Sequence, residues 1–282
     1  MNKDKSKQVL TWPSSLIGLS PPMLFDKARN RFYDKLLEQC KDKVCAEIGF
    51  GTGLLTMIAL KNGAKHIYAF ESDPLMFEIG SDILSSLHQT DKVTLINDVY
   101  EDKYDTDIVF HEIIGRRLWD ENIKGMKSRS QIIPGNLKAD ICWMDATDNQ
   151  LYDSNRVYQM SRETGLSWMD PLFALKLSKL ANSSKEFYIH ELSGQEIRDL
   201  NHRLSPVDST SYEYNINTDD IPDIIEVEFE VPPMSKVWLE YSIDEFPISR
   251  EGNWKYDKAI VTRSGGQMTL KQSTTSGVWW LE

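Results

Sequence analysis

Cysteine is scarce. Three cysteines, Cys40, Cys45 and Cys142, stand in 282 residues and none belongs to a C-x-x-C pair, which excludes a disulfide framework. The five histidines are scattered, with no H-E-x-x-H and no close Cys/His spacing, so no metal site is expected. No apolar run approaches the roughly 18 residues that a membrane-spanning helix needs. Met1 to Lys7 is charged and mixed in sign, and Pro13 breaks the apolar stretch that follows, so no signal peptide is expected. A reducing, cytoplasmic setting fits this use of cysteine, and Cys45, inside an apolar run, reads as a buried thiol. Positive charge is also short. There are 32 Lys and Arg against 43 Asp and Glu, a net charge of −11. That balance is poor for gripping a phosphate backbone and better for a basic small molecule or peptide, so neither nucleic acid nor membrane is an expected partner. What the chain does have is a 40% hydrophobic composition, enough to fill a sizeable core.

The length predicts about two domains, and the texture changes near residue 134. Before it, strand and helix patterns alternate. Val44–Gly49 reads as a buried strand and Thr52–Leu60 as a helix. His66–Glu71 is a strand, Pro74–Leu87 a helix, and Val93–Asn97 and Thr106–Ile113 are strands. Such alternation predicts a parallel sheet covered on both faces. After Pro134-Gly135 the pattern becomes β-rich. Ile225, Val227, Phe229 and Val231 alternate with Glu226, Glu228 and Glu230, and Pro232-Pro233 ends the run. Lys236–Phe246 alternates again, and 258–263 with 266–272 reads as a hairpin about Gly265-Gly266. Between these regions Leu172, Leu175 and Leu180 mark a short amphipathic helix. The fold expected is an α/β Rossmann-like domain over 1–134, followed over 135–282 by an antiparallel β-barrel or sandwich.

The strongest local signal is Glu47-Ile-Gly49-Phe-Gly51-Thr-Gly53-Leu-Leu, which leaves a predicted strand and opens a predicted helix. Glycines there let the backbone turn sharply and approach a ligand closely. A dinucleotide loop would want a small residue where Leu54 stands, and the loop is instead G-x-G-x-G preceded by an acid. Glu71 ends the next strand, 18 residues beyond Gly53, where a carboxylate can accept both hydroxyls of a ribose.

The segment "VCAEIGFGTGLLTMIALKNGAKHIYAFESD" resembles the first motifs of class I S-adenosylmethionine-dependent methyltransferases, and in particular the protein arginine methyltransferase family. The resemblance implies S-adenosyl-L-methionine as cofactor. It places Gly49, Gly51 and Gly53 beside the methionine part, Glu71 on the ribose and Glu47 near the amino group. Upstream, Met23, Asp26, Arg29 and Tyr33 match the family's M-L-x-D-x-x-R-x-x-x-Y helix. Spacings of three and four put the last three on one helical face. Arg29 would then grip the cofactor carboxylate, and Met23 would lie beside the transferred methyl. Glu101, after the third strand, stands near the family's acid for the adenine amino group.

Glu112 sits where its strand should end, facing the same crevice as Gly49 and Glu71, and Glu121 follows nine residues later. Two carboxylates in a partly dry cleft repel unless a cation joins them. A guanidinium is the natural partner, being planar, permanently charged and able to meet carboxylates through two hydrogen bonds at a time. Holding its charge on two nitrogens leaves the third richer in electrons. The family carries such a double-glutamate loop at this spacing, so the resemblance makes Glu112 and Glu121 the residues that bind substrate arginine. Arg116-Arg117 depart from the apolar or aromatic residues usual in that loop. Gly252-Asn253-Trp254 stands where the family has Thr-His-Trp. Trp254 would wall the substrate pocket, while Asn253 cannot carry a proton from Asp26.

Residues 161–182 resemble the family's dimerisation arm, which implies a homodimer. The expectation is therefore methyl transfer to arginine in a protein or peptide. Two alternatives stand beside it. One is a methyltransferase acting on a small molecule, either free arginine or another amine. The other is a non-catalytic subunit of methyltransferase fold that binds a partner.

Overall fold

The computed structural model describes residues 24–86, 90–115, 117–119, 121, 123–145, 186–191, 208–233, 235–248, 258–262 and 265–282. Met23, Arg116, Asn253, Trp254, the amphipathic helix expected near 172–180 and the arm expected over 161–182 lie outside them. No helix among the described residues is long and apolar enough to cross a membrane.

The first half is a five-stranded parallel sheet. Its strands are β1 (Val44–Ile48), β2 (His66–Phe70), β3 (Val93–Ile96), β4 (Ile108–His111) and β5 (Gln131–Ile133), in the order β3-β2-β1-β4-β5. Helices α1 (Lys27–Leu36), α2 (Leu54–Lys61) and α3 (Pro74–Ser86) precede β1, β2 and β3. Asp26 caps α1 by accepting from the amides of Ala28 at 3.1 Å and Arg29 at 3.0 Å, which satisfies two of the helix's orphan donors. The period of two along β4 divides its side chains. Ile108 and Phe110 join Tyr33, Leu37 and Leu55 in one core, while Val109 faces the other half of the molecule.

That second half holds two antiparallel sheets. One contains β6 (Asn136–Asp145), β7 (Glu186–Glu191), β8 (Asp208–Asn215), β10 (Ser235–Ile243) and β11 (Lys258–Thr262), ordered β7-β11-β10-β6-β8. The other is β13-β12-β9, from β9 (Ile224–Val231), β12 (Gly266–Ser273) and β13 (Trp279–Leu281). Their apolar faces meet in a core that includes Leu137, Ile141, Leu239, Phe229, Leu270 and Trp279, and that core runs on without a break to Ala46, Phe70 and Val109 of the parallel sheet. Further ties cross the junction. Phe32 of α1 stacks on Phe246 at 4.5 Å between ring centroids, and the Asp244 carboxylate accepts from the Gly135 and Asn136 amides.

The architecture is the Rossmann-like domain plus antiparallel sandwich expected from the patterning, with two corrections. Strands β11 and β12 do not form a hairpin. β11 pairs with β10 and β7, whereas β12 pairs along its whole length with β9, from Gly266↔Val231 to Ser273↔Ile224. The Gly-Gly pair turns the chain from one sheet to the other, with Gly266 at φ +125°. In β10 the alternation of Val237, Leu239, Tyr241 and Ile243 hides a second covered face, because Trp238 and Glu240 are buried too and the indole N–H donates to the Glu240 carboxylate at 3.1 Å.

The glycine turn is pinned from beneath by Phe50. Its amide donates to Phe70 O at 2.9 Å, and its buried ring lies against Gly80 of α3. A Cβ at Gly80 would fall 2.4 Å from that ring and 2.9 Å from the Gly51 carbonyl. Gly80→Ala should therefore push Phe50 and the loop away, costing about 1–3 kcal/mol of stability as overpacking does. Urea denaturation of the variant would show it as a lower midpoint at unchanged m-value, and an unmoved midpoint would contradict the packing.

Candidate active site

The parallel registers bring the site residues to one edge. Ile48 pairs with both Phe70 and His111, so the residues that follow, Gly49, Glu71 and Glu112, leave the carboxyl ends of β1, β2 and β4 at one level. Gly49, Gly51 and Gly53 have φ of +79°, +53° and +76°, left-handed conformations that a side chain would resist. An added Cβ at Gly49 would meet nothing within 4 Å, so the loop borders open space there. The Glu71 carboxylate braces this turn, accepting from the Gly51 amide and the Asp73 amide, each at 2.9 Å.

Glu47, on β1, is almost fully buried and accepts a short hydrogen bond from the Thr56 hydroxyl of α2. Burial raises its pKa to about 8, with the Thr56 bond and the Arg29 charge opposing and the Glu71 charge adding. Arg29 lies one helical turn before Tyr33 on α1, and its guanidinium carbon stands 5.3 Å from the centre of the Tyr33 ring. Its Nε and one terminal nitrogen meet the two Glu112 oxygens as a two-pronged ion pair, with side chains only 5% and 14% exposed. The other terminal nitrogen donates to Asn30 Oδ1 at 2.8 Å. Burial pushes Arg29 below its ordinary pKa, and Tyr33 is raised chiefly by the same desolvation. The charges of Asp244 and Glu121 add to the Tyr33 shift, which places Glu121 within electrostatic reach of that hydroxyl.

The loop between the two glutamates is anchored by its apolar residues. Ile114, Leu118, Trp119 and Ile123 are buried in the core shared with the sandwich, and Leu118 takes φ +67°. Underneath, the fully buried Gln272 donates to Tyr241 Oη at 2.9 Å and to Gly277 O at 2.9 Å, and its carbonyl accepts a short bond from the Tyr212 hydroxyl. Gly277 leaves room for Arg117, whose Cβ and carbonyl oxygen lie 2.4 Å and 2.8 Å from where a Cβ would be. Glu121 is exposed, while Leu118, Trp119 and Ile123 on either side of it are sunk. Glu101 is placed elsewhere in character: it is exposed and pairs with Lys103 at 2.9 Å. Its neighbour Asp102 is the buttressed acid, accepting from Ser128, from the Arg129 amide at 3.0 Å and from Arg129 Nε at 3.1 Å.

Sequence reasoning missed Thr56 and His111. His111 is fully buried at the end of β4, its Nε2 lies 2.9 Å from Pro134 O, and its Nδ1 accepts from the Ile113 amide at 3.1 Å. A histidine inside the apolar run "DIVFHEII" was the available signal.

No protein-family model matches the chain. Protein arginine N-methyltransferase 1 of Chlamydomonas reinhardtii is 34% identical over 119 residues, 39% of this chain and 34% of that protein. The protein of the same name from Saccharomyces cerevisiae is 31% identical over 106 residues, 35% of this chain and 30% of its own length. The matched part spans about a third of such curated relatives. Among solved structures, the crystal structure of PRMT6 aligns with TM-score 0.63 at 18% identity, covering 95% of this chain and 99% of that one. The Trypanosoma brucei PRMT1 enzyme–prozyme heterotetrameric complex with AdoHcy aligns at 0.61 and 17% identity, covering 95% and 93%. The fold is thus a Rossmann-like domain joined to an antiparallel barrel or sandwich, arranged as in those two structures. In sequence the chain resembles protein arginine N-methyltransferases over somewhat more than a third of its length.

The Glu47 carboxyl predicts a pH dependence. Its proton is held more tightly in the folded chain than in the unfolded one, where 4.5 is the ordinary value. Its contribution to stability is full below the unfolded value and is lost as pH rises through about 8. Glu47→Gln should therefore lose less stability than wild type between about pH 5 and 8, the difference being at most about 1.4 kcal/mol per pH unit. Denaturant midpoints of both proteins across that window would reveal it, and parallel curves would refute it.

Proposed function

We propose that this chain is an S-adenosylmethionine-dependent methyltransferase acting on a guanidinium nitrogen of arginine in a protein or peptide. The observation that carries the reading is that Glu112, in a nearly dry cleft, already receives a guanidinium fork to fork from Arg29. A carboxylate so placed is chemically suited to a substrate arginine.

The residues present fit the cofactor. The loop beside Gly49 is open, Glu71 is poised for a ribose, and buried Glu47 can accept from an amino group. Arg29 has five N–H donors, of which Glu112 takes two and Asn30 one. The two that are left lie on its terminal nitrogens, so one guanidinium can serve Glu112 from the side and a cofactor carboxylate from the end. When bound, S-adenosylmethionine supplies an electrophilic methyl group. The chain's own work is then positioning and electrostatics. Glu112 and Glu121 orient the substrate guanidinium and hold its positive charge on two nitrogens, leaving the third free to react. Met23 and Trp254 complete the acceptor pocket in this reading, with a second copy of the chain docking through 161–182.

Glu112→Gln keeps an oxygen for Arg29 while removing the charge that binds the substrate. Methyl transfer should fall about 100-fold or more, by analogy with the removal of one electrostatic stabiliser, while cofactor affinity by calorimetry stays within a few-fold. Mass spectrometry of products from arginine peptides and from metabolite pools identifies the acceptor. Turnover in the variant equal to wild type would end the double-glutamate mechanism. Products found only among small amines would move the acceptor to a metabolite, and a chain that does not bind S-adenosylmethionine would be a non-catalytic subunit.

A further inference from the structure

Glu112 is held at three points, and two of them are on its backbone. The carbonyl before it, His111 O, accepts from the Tyr33 hydroxyl at 3.0 Å. The amide after it, Ile113 N, donates to His111 Nδ1 at 3.1 Å, so the imidazole closes a small ring around Glu112. The third point is the Arg29 fork on the carboxylate itself. Because Nδ1 accepts, the ring proton is on Nε2, which donates to Pro134 O at 2.9 Å. Proline has no amide to continue the β4–β5 ladder beyond Phe110↔Ile133, and the histidine ring, donating to the Pro134 carbonyl, links the two strand ends there. His111 thus ties the residue that follows it to the junction where the parallel sheet hands over to the sandwich. It is fully buried, and its imidazole makes no contact with Glu112's carboxylate in the bonds it forms.

We infer that His111 is a positioning residue for methyl transfer: neutral, in the Nε2–H tautomer, it fixes the peptide that follows Glu112 and so sets the direction of the carboxylate toward the acceptor. This rests on the reading of Glu112 as the substrate-binding acid. A displacement of about 1 Å at such a carboxylate is enough to cost on the order of 100-fold in rate. A histidine that merely filled space would be replaceable by any side chain that restores the volume.

Three variants of the 282-residue chain separate these roles. His111→Asn offers an acceptor oxygen near the Nδ1 position, His111→Gln offers a donor toward Pro134 O without that acceptor, and His111→Ala offers neither. In His111→Gln and His111→Ala, kcat/KM for an arginine peptide should fall about tenfold to 100-fold, with S-adenosylmethionine affinity by calorimetry changed less than about threefold. His111→Asn should recover most of the loss. Hydrogen exchange at the Ile113 amide should follow the same order, protected in wild type and His111→Asn and faster in the other two. This readout needs no turnover, so the clamp is judged even if the wild-type chain proves inactive on arginine, an outcome that would overturn the proposed function and leave the clamp to the exchange data. Equal kcat/KM in all three variants, or activity that tracks thermal stability and not Ile113 protection, would overturn the positioning role.

Discussion

The cleft depends on bringing carboxylates together where water is scarce. Glu47, Glu71 and Glu112 converge on the carboxyl ends of three adjacent strands, and bare anions so close would repel and resist desolvation. Each is answered differently. Glu47 is pushed toward the protonated form and bonded by Thr56, Glu71 is given backbone amides, and Glu112 is given the Arg29 fork. The last is the strongest constraint, because both members are nearly buried and removing either would strand a charge, typically a cost of about 3–5 kcal/mol. The Asp26 cap and the Phe32–Phe246 stack help hold α1 where it presents Arg29 at that point.

The antiparallel half is more than an appended surface. Its core takes in Ile114, Leu118, Trp119 and Ile123, and its buried Gln272 network lies under the Arg117 backbone. The loop that bears Glu121 is therefore shaped by residues from both halves of the chain. That division of labour puts rigid packing under the loop and leaves the acid exposed.

Much of the parallel half was legible because its signals are local. Period-two and period-3.6 patterns marked β1, β2 and α3, and the glycine turn announced itself by spacing. The Glu71 and Glu112 placements followed from where strands end. β5, with three residues, was too short to register as a pattern. The Arg29–Glu112 pair joins residues 83 apart, and no local window contains it. The hairpin about Gly265-Gly266 failed for the same reason: the turn signal is local, but the choice of partner was made by eight residues of complementary face on β9. Glu101 and Asp102 differ by one position, and only tertiary contacts with Ser128 and Arg129 distinguish the buttressed acid from the exposed one. His111 reads from sequence as an ordinary core histidine, since both of its bonds go to backbone.

The unbroken core from Ala46 and Phe70 through Leu137 to Trp279 has a consequence for how the molecule comes apart. Val109 on one side and Trp279 on the other solvate only if their common interior opens, so neither half has an apolar interior of its own to fall back on at that face. Folding and melting should then be a joint event, a single cooperative transition, and severing the chain between Pro134 and Gly135 would yield two fragments with wet hydrophobic faces in place of two autonomous modules.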